Sequence, residues 1–404
     1  MEDLINVSNR LLNSINDRFY RSLLTKIDWS QRLIEIRGSR GVGKTTLMLQ
    51  KAKAIKKEGK NIIYTSLDLP YFFNNSLFDL ADEFTKFGGT HLFLDEVHRY
   101  PSKHKNSDWS LEIKNIYDAF PELKIVYSGS SILHLYNGKG DLSRRKASYL
   151  LNGLSFREYL EMNKVMSHSA IRLEELLTNH QSIAEGIVQQ IKPLLHFKAY
   201  LKYGYYPFFN GNQEVYINQL QQVVSLIIDT DLPYISTISH NAKQQLKRLL
   251  GAISTAAPYT PNMNNLAELV QVTDHRTLLK YLNLLDEAQL ISLLKTEGKG
   301  NKQLRKPDKI FLNNTNLVDA IGLSDADKGT ERETFFFNQV GSVEHVFYST
   351  KGDFKVGSDL IFEVGGKNKS FNQIKGLEKG YIASDGIDLG FGKKIPLWLF
   401  GFLY

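Results

Sequence analysis

The spacing of apolar positions changes character along the chain. Four short apolar runs, Leu33-Ile34-Glu35-Ile36, Ile62-Ile63-Tyr64-Thr65, His91-Leu92-Phe93-Leu94 and Leu123-Lys124-Ile125-Val126-Tyr127, are separated by stretches long enough for helices. That alternation predicts buried parallel strands in an α/β fold. From about Ser155 to Leu250 the period is mostly helical, as in Ile217, Leu220, Val224 and Ile227. The aromatic turn Gly204-Tyr205-Tyr206-Pro207-Phe208-Phe209 interrupts it and reads as core packing. The most apolar run is Ile395 to Tyr404, which reads as a buried terminal strand.

The first strand runs into Gly38-Ser39-Arg40-Gly41-Val42-Gly43-Lys44-Thr45, a full match to the phosphate-loop pattern, and Thr46-Leu47-Met48-Leu49-Gln50 then opens a helix. The glycines let successive N–H groups turn inward around a phosphate, and the helix points the positive end of its dipole at the same anion. Lys44 is placed to reach the β- and γ-phosphates of ATP, and Thr45 to put a hydroxyl on Mg²⁺. The third run closes on Asp95-Glu96. At the carboxyl end of a buried strand, Asp95 would hold Mg²⁺ beside Thr45, and Glu96 would orient an attacking water and accept its proton.

These parts resemble the AAA+ superfamily. Gly129-Ser130-Ser131, Leu142-Ser143-Arg144-Arg145 and Leu154-Ser155-Phe156-Arg157-Glu158-Tyr159-Leu160 are similar to a series in prokaryotic ATPases that carry a C-terminal domain of unknown function. The resemblance continues through Asn265-Leu266-Ala267-Glu268-Leu269, Lys280-Tyr281-Leu282 and Pro307-Asp308-Lys309-Ile310. It implies an extra strand between the two motif strands, with Ser128 or Ser130 as a γ-phosphate sensor at its tip. It also implies a charge-stabilising role for Arg145, either in its own subunit or in a neighbour's within a homo-oligomer. Arg144 stands where that series has glycine, so a surface arginine pair is the competing reading. Arg157 reads as a structural anchor.

With 404 residues and 42% hydrophobic content the chain can bury several cores. It has no cysteine, which excludes disulfides and cysteine-ligated zinc and suits a cytoplasmic protein. The amino terminus lacks the apolar stretch of a signal peptide, and no segment approaches the length needed to span a bilayer. The reading is an ATPase domain over 1–153, a helical lid over 154–250, a winged helix over 251–318 and a nuclease-like α/β domain over 319–404.

In the winged-helix stretch, Leu278, Leu282 and Leu285 share one helix face while His275, Arg276 and Lys280 project outward. Lys295, Lys299, Lys302, Arg305, Lys306 and Lys309 then outweigh Glu297 and Asp308, with Gly298 and Gly300 allowing a hairpin tip. Such a wing serves either duplex DNA or a protein partner. The overall charge of +7 is too modest to choose between them.

The last stretch resembles PD-(D/E)xK nucleases, with Asp353 and Glu363 on a strand pair, Glu333 on the preceding helix and Gln373 on the following one. That family's lysine position is Gly365 here, leaving Lys367 as the substitute and predicting a degenerate site. Three functions stay open: an ATP-hydrolysing switch or motor acting on C-terminal binding modules, an ATP-dependent DNA nuclease, and a slow nucleotide-gated protein scaffold.

Overall fold

The computed structural model describes residues 1–101, 108–135, 138–235, 238–298, 305–322 and 327–404. The chain divides into two compact units, Met1–Asn152 with Thr230–Thr237, and Gly153–Asp229 with Ile238–Tyr404.

The first unit is built on five parallel strands: β1 (Leu33–Gly38), β2 (Ile62–Ser66), β3 (His91–Asp95), β4 (Lys124–Ser130) and β5 (Ala147–Leu150). Their order is β2-β3-β4-β1-β5, so β4 lies between the two strands that end in the motifs. Near-continuous burial along β1, β3 and β4 is what a sheet covered on both faces requires. Leu33, Ile63, Leu92, Leu94, Ile125 and Tyr127 form one core with Phe72, Leu80 and Phe84 of the flanking helices. Helices begin at Ser76 and Asp108, whose side chains accept the N–H of Asp79 and Leu111 and satisfy donors that a helix start leaves free.

The second unit holds helices Phe156–Met162, Leu173–Val188, Pro193–Tyr203 and Gln213–Leu226. Ser155 and Glu158 close a capping box that starts the first of them. The lid reading of 154–250 did not foresee where these helices are buried. Phe156, Phe197 and Tyr200 share one core with Phe335, Phe354, Phe362, Trp398 and Phe402 of the C-terminal region. Edge-to-face contacts join them, with Phe197 and Phe335 centroids 4.7 Å apart. Arg157 donates to the Tyr404 carbonyl at 2.9 Å and to that of His168 at 3.1 Å, which ties the first helix to the chain's last residues.

Helices His240–Ser254, Met263–Val270 and His275–Glu287 precede an antiparallel hairpin of β6 (Ile291–Leu294) and β7 (Lys309–Leu312). Leu278, Leu282 and Leu285 are buried, and His275, Arg276 and Lys280 are exposed. Lys299, Gly300 and Lys302 lie outside the described residues. At the rest of the hairpin, Lys309 pairs with Glu333 at 3.3 Å, which offsets one basic charge, and Glu297 pairs with Lys355 at 2.5 Å.

The final sheet is mixed, with order β12-β11-β10-β9-β8. Its strands are β8 (Val346–Tyr348), β9 (Phe354–Val356), β10 (Leu360–Gly365), β11 (Gly380–Ser384) and β12 (Lys394–Pro396). The terminal apolar run is buried, but only its beginning is strand. Pro396 has no N–H for a further ladder bond, and Leu397–Phe402 coil into a 3₁₀-helix.

Candidate functional site

The phosphate loop leaves β1 and turns through Gly41 and Gly43, whose φ angles of 85° and 99° are open to glycine at little cost. Gly43 is the residue before helix Lys44–Lys57, so the loop opens at a helix N-terminus. Val42 is fully buried, and its carbonyl accepts from Arg21 at 2.7 Å while the same guanidinium reaches the Asn152 carbonyl at 2.8 Å. Arg21 thus pins the loop from outside it, a role that its sequence surroundings do not signal. Lys44 Nζ donates to the carbonyls of Gly38 and Ser39 at 2.9 and 3.1 Å, and burial lowers its pKa against the pull of Glu96 and Asp95. Thr46 is exposed in the first turn of the helix.

The two motifs meet at Asp95. Thr45 Oγ1 donates to Asp95 Oδ2 at 2.5 Å, and Tyr64, from the neighbouring strand β2, donates to the same oxygen at 2.6 Å. Ser128 Oγ donates to Oδ1. Three hydroxyls, from the end of the phosphate loop, from β2 and from β4, therefore fix one carboxylate. Burial and the Asp95 charge push the Tyr64 phenol well above its ordinary range, so it keeps the proton that it donates to Asp95. Of the two sensor candidates, Ser128 is the one joined to Asp95, whereas Ser130 stands buried at the tip of β4 in register with Gly38. A hydroxyl and a carboxylate this close make a hard-oxygen pair that fits Mg²⁺, which takes its other ligands from phosphates and water.

Glu96 has φ 52°, an uncommon backbone state for a residue with a Cβ, and its N–H bonds Asp95 Oδ1 at 3.1 Å. Its Oε2 lies 3.4 Å from His98 Nε2, 3.5 Å from Arg99 Nε and 3.6 Å from Arg40. Asp231 completes this cluster, and no motif in the sequence marks it. Arg145 is elsewhere. Its guanidinium forks onto Asp118 at 3.1 and 3.2 Å, which binds it to the end of helix Trp109–Ala119 and does not place it with Lys44 or Glu96.

In the second unit Asp353, next to β9, accepts the Val364 N–H at 2.8 Å, and Glu363 on β10 is fully buried. Burial, together with the Asp353 charge, raises the carboxyl pKa of both Glu333 and Glu363. The lysine that pairs with Glu363 is Lys369, with Nζ 2.5 Å from Oε1, while Lys309 pairs with Glu333. This corrects the choice of Lys367, whose carbonyl instead accepts from Lys394 at 2.6 Å. After β10 the chain turns, with Lys369 N–H on the Gly366 carbonyl at 2.9 Å, and the Lys369 stem crosses Gly365 so closely that a Cβ there would meet its Cγ at 2.7 Å. The glycine where a nuclease has lysine is thus what lets a lysine from the turn reach the carboxylate. Gln373 lies in a short 3₁₀ turn, Asn372–Ile374. Among the described residues no group of three or more His, Asp or Glu side chains is gathered to hold a metal.

Comparison with known proteins adds two matches along the chain. Residues 30–160 match a family profile described as an AAA domain, and residues 194–327 match a domain of unknown function. No curated protein matches. Among solved structures, the Walker-type ATPase of Pyrococcus abyssi is 14% identical, covering 77% of this chain and 99% of that one with a TM-score of 0.45. AMPPCP-bound DnaA from Aquifex aeolicus is 20% identical, covering 66% and 85% with a TM-score of 0.27. The Aeropyrum pernix Orc1 protein in complex with DNA is 11% identical, covering 78% and 90% with a TM-score of 0.29. These scores are too low to carry anything from those proteins to this chain. No helix among the described residues is long and apolar enough to cross a membrane. The five strands of the parallel sheet, β1 to β5, all fall within the residues that match the AAA profile.

Proposed function

We propose that the chain binds ATP with Mg²⁺ at the Gly38–Thr46 loop and hydrolyses it, using the cycle to switch its C-terminal modules. The observation that carries this reading is the 2.5 Å bond from Thr45 to Asp95, which joins the phosphate loop to the carboxylate at the end of β3. Lys44 supplies positive charge to the phosphates, and Mg²⁺ held at Thr45 and Asp95 would screen the triphosphate. Glu96 orients the water and takes its proton, and Ser128 fixes Asp95 and stands beside the Glu96 N–H at 3.4 Å. Arg40 and Arg99 are the cations nearest Glu96 and are better placed than Arg145 to offset charge within the same subunit.

Steady-state ATP turnover by the purified chain, with and without duplex DNA, tests the reading. Turnover that Lys44→Ala abolishes supports it, and no turnover in either condition refutes hydrolysis. Stimulation by DNA would point to the winged-helix-like hairpin as its contact, while an unchanged rate favours a protein partner.

A second reading concerns Glu333, Asp353, Glu363 and Lys369. The lysine at Glu363 removes the first objection to nuclease chemistry. Glu363 is nevertheless fully buried and already paired, so we favour a binding or assembly role for this end of the chain.

A further inference from the structure

Asp231 lies beyond residue 160, where the AAA match ends, yet it counts with the first unit. It closes a π-helical turn, Ile227–Asp231, and its side chain is 3% exposed. Arg40, from within the phosphate loop, forks onto it, with NH2 3.0 Å from Oδ1 and Nε 3.4 Å from Oδ2. Arg99 NH2 and His98 Nε2 approach Oδ1 at 3.6 and 3.7 Å.

The same three side chains face Glu96, but unequally. Arg40 makes hydrogen bonds to Asp231, whereas Glu96 Oε2 is buried and accepts none. A guanidinium seeks a carboxylate for its planar fork, and Glu96 is the acid nearest to Arg40 after Asp231. Without Asp231 that fork would close on Glu96 and fill the acceptor position that Oε2 leaves unfilled. Lys44 and Asp95 also act on this cluster, and the Asp68 charge reaches Arg40.

We propose that Asp231 is a positioning residue for ATP hydrolysis: it takes the hydrogen bonds of the Arg40 guanidinium, so that the Glu96 carboxylate keeps an acceptor position for the attacking water. The inference rests on the ATPase reading above. It also implies that a fragment ending at residue 160 lacks a working part of the site.

The test uses the full chain as parent, with Glu96→Gln, Asp231→Asn, Asp231→Glu, Arg40→Gln and the double variant Asp231→Asn/Arg40→Gln. The readouts are kcat and KM for ATP and the melting shift induced by ATP. Asp231→Asn is expected to lower kcat by about tenfold or more and change KM by less than about threefold, with the ATP-induced shift retained. Asp231→Glu keeps the charge and should stay within about threefold of the parent. Because the competing guanidinium is gone, adding Asp231→Asn to Arg40→Gln should cost less than about threefold in kcat. A purely structural role would act through KM and melting temperature and would show no such coupling to Arg40 in kcat. A kcat for Asp231→Asn within about twofold of the parent, or a loss confined to KM, overturns the proposal. If Asp231→Asn does not stay folded, a loss beyond about tenfold in Asp231→Glu overturns it instead. A parent rate no higher than that of Glu96→Gln refutes the ATPase reading itself, a different result from an active parent matched by Asp231→Asn.

Discussion

Replacing Glu96 by Gln keeps the side chain's length and its φ of 52° but removes the proton acceptor. Loss of a general base is worth about 10²–10⁴ in rate, or roughly 3–5 kcal/mol on the barrier. The effect on folding should be small. Arg40, Arg99 and His98 stand 3.4–3.6 Å from Oε2 without a hydrogen bond, and the Glu96 side chain is 23% exposed. Such pairs contribute at most about 1 kcal/mol each, so the melting temperature should move by no more than a few degrees. Asp231 remains to hold Arg40. Binding should not weaken, because the change removes a negative charge beside the triphosphate. The assay is steady-state phosphate release paired with melting in the presence and absence of ATP. The expected result is turnover about 100-fold lower or less with the ATP-induced shift intact. Turnover at the parent rate would refute the assignment of the base. Turnover and ATP stabilisation lost together would show that Glu96 shapes the loop and does no chemistry.

Three further outcomes follow from the same geometry. Lys44→Ala leaves the backbone nest but removes the cation that now rests on the Gly38 and Ser39 carbonyls, so the melting shift given by ATP should vanish; an undiminished shift would contradict the loop's role. Lys369→Met leaves the buried Glu363 without its ion-pair partner and should cost about 1–3 kcal/mol. Since the folded-state pKa of Glu363 is raised, the folded form holds its proton longer than the unfolded one, and stability is lost as pH rises through that pKa; the defect in denaturant melts should therefore be larger at neutral pH than in acid, and a defect independent of pH would refute this account. Purified protein with Mg²⁺ should not cut supercoiled plasmid or linear duplex, and cutting that disappears in both Asp353→Ala and Glu363→Ala would promote the nuclease reading.

The sequence by itself determined the parts whose chemistry is local. A phosphate loop needs glycines, a lysine and a hydroxyl at fixed spacing because contiguous backbone forms the nest, so Gly41, Gly43, Lys44 and Thr45 were legible without a structure. Asp95-Glu96 was legible because an apolar run ending in carboxylates is how a buried strand opens into a site. The SFREYL segment was readable as an anchor, and its Ser155–Glu158 capping box and the Arg157 bond to Tyr404 give the physical reason. Only the tertiary structure decided which distant side chains complete these parts. It joined Ser128 to Asp95, set Arg145 on Asp118, and brought in Tyr64, Arg21 and Asp231. It also replaced Lys367 by Lys369, because the turn after Gly365 sends the chain back over Glu363, a reversal that strand alternation cannot express. Charged side chains find partners by position in space, and a fork such as Arg40 with Asp231, far apart along the chain, leaves no periodic trace in the sequence.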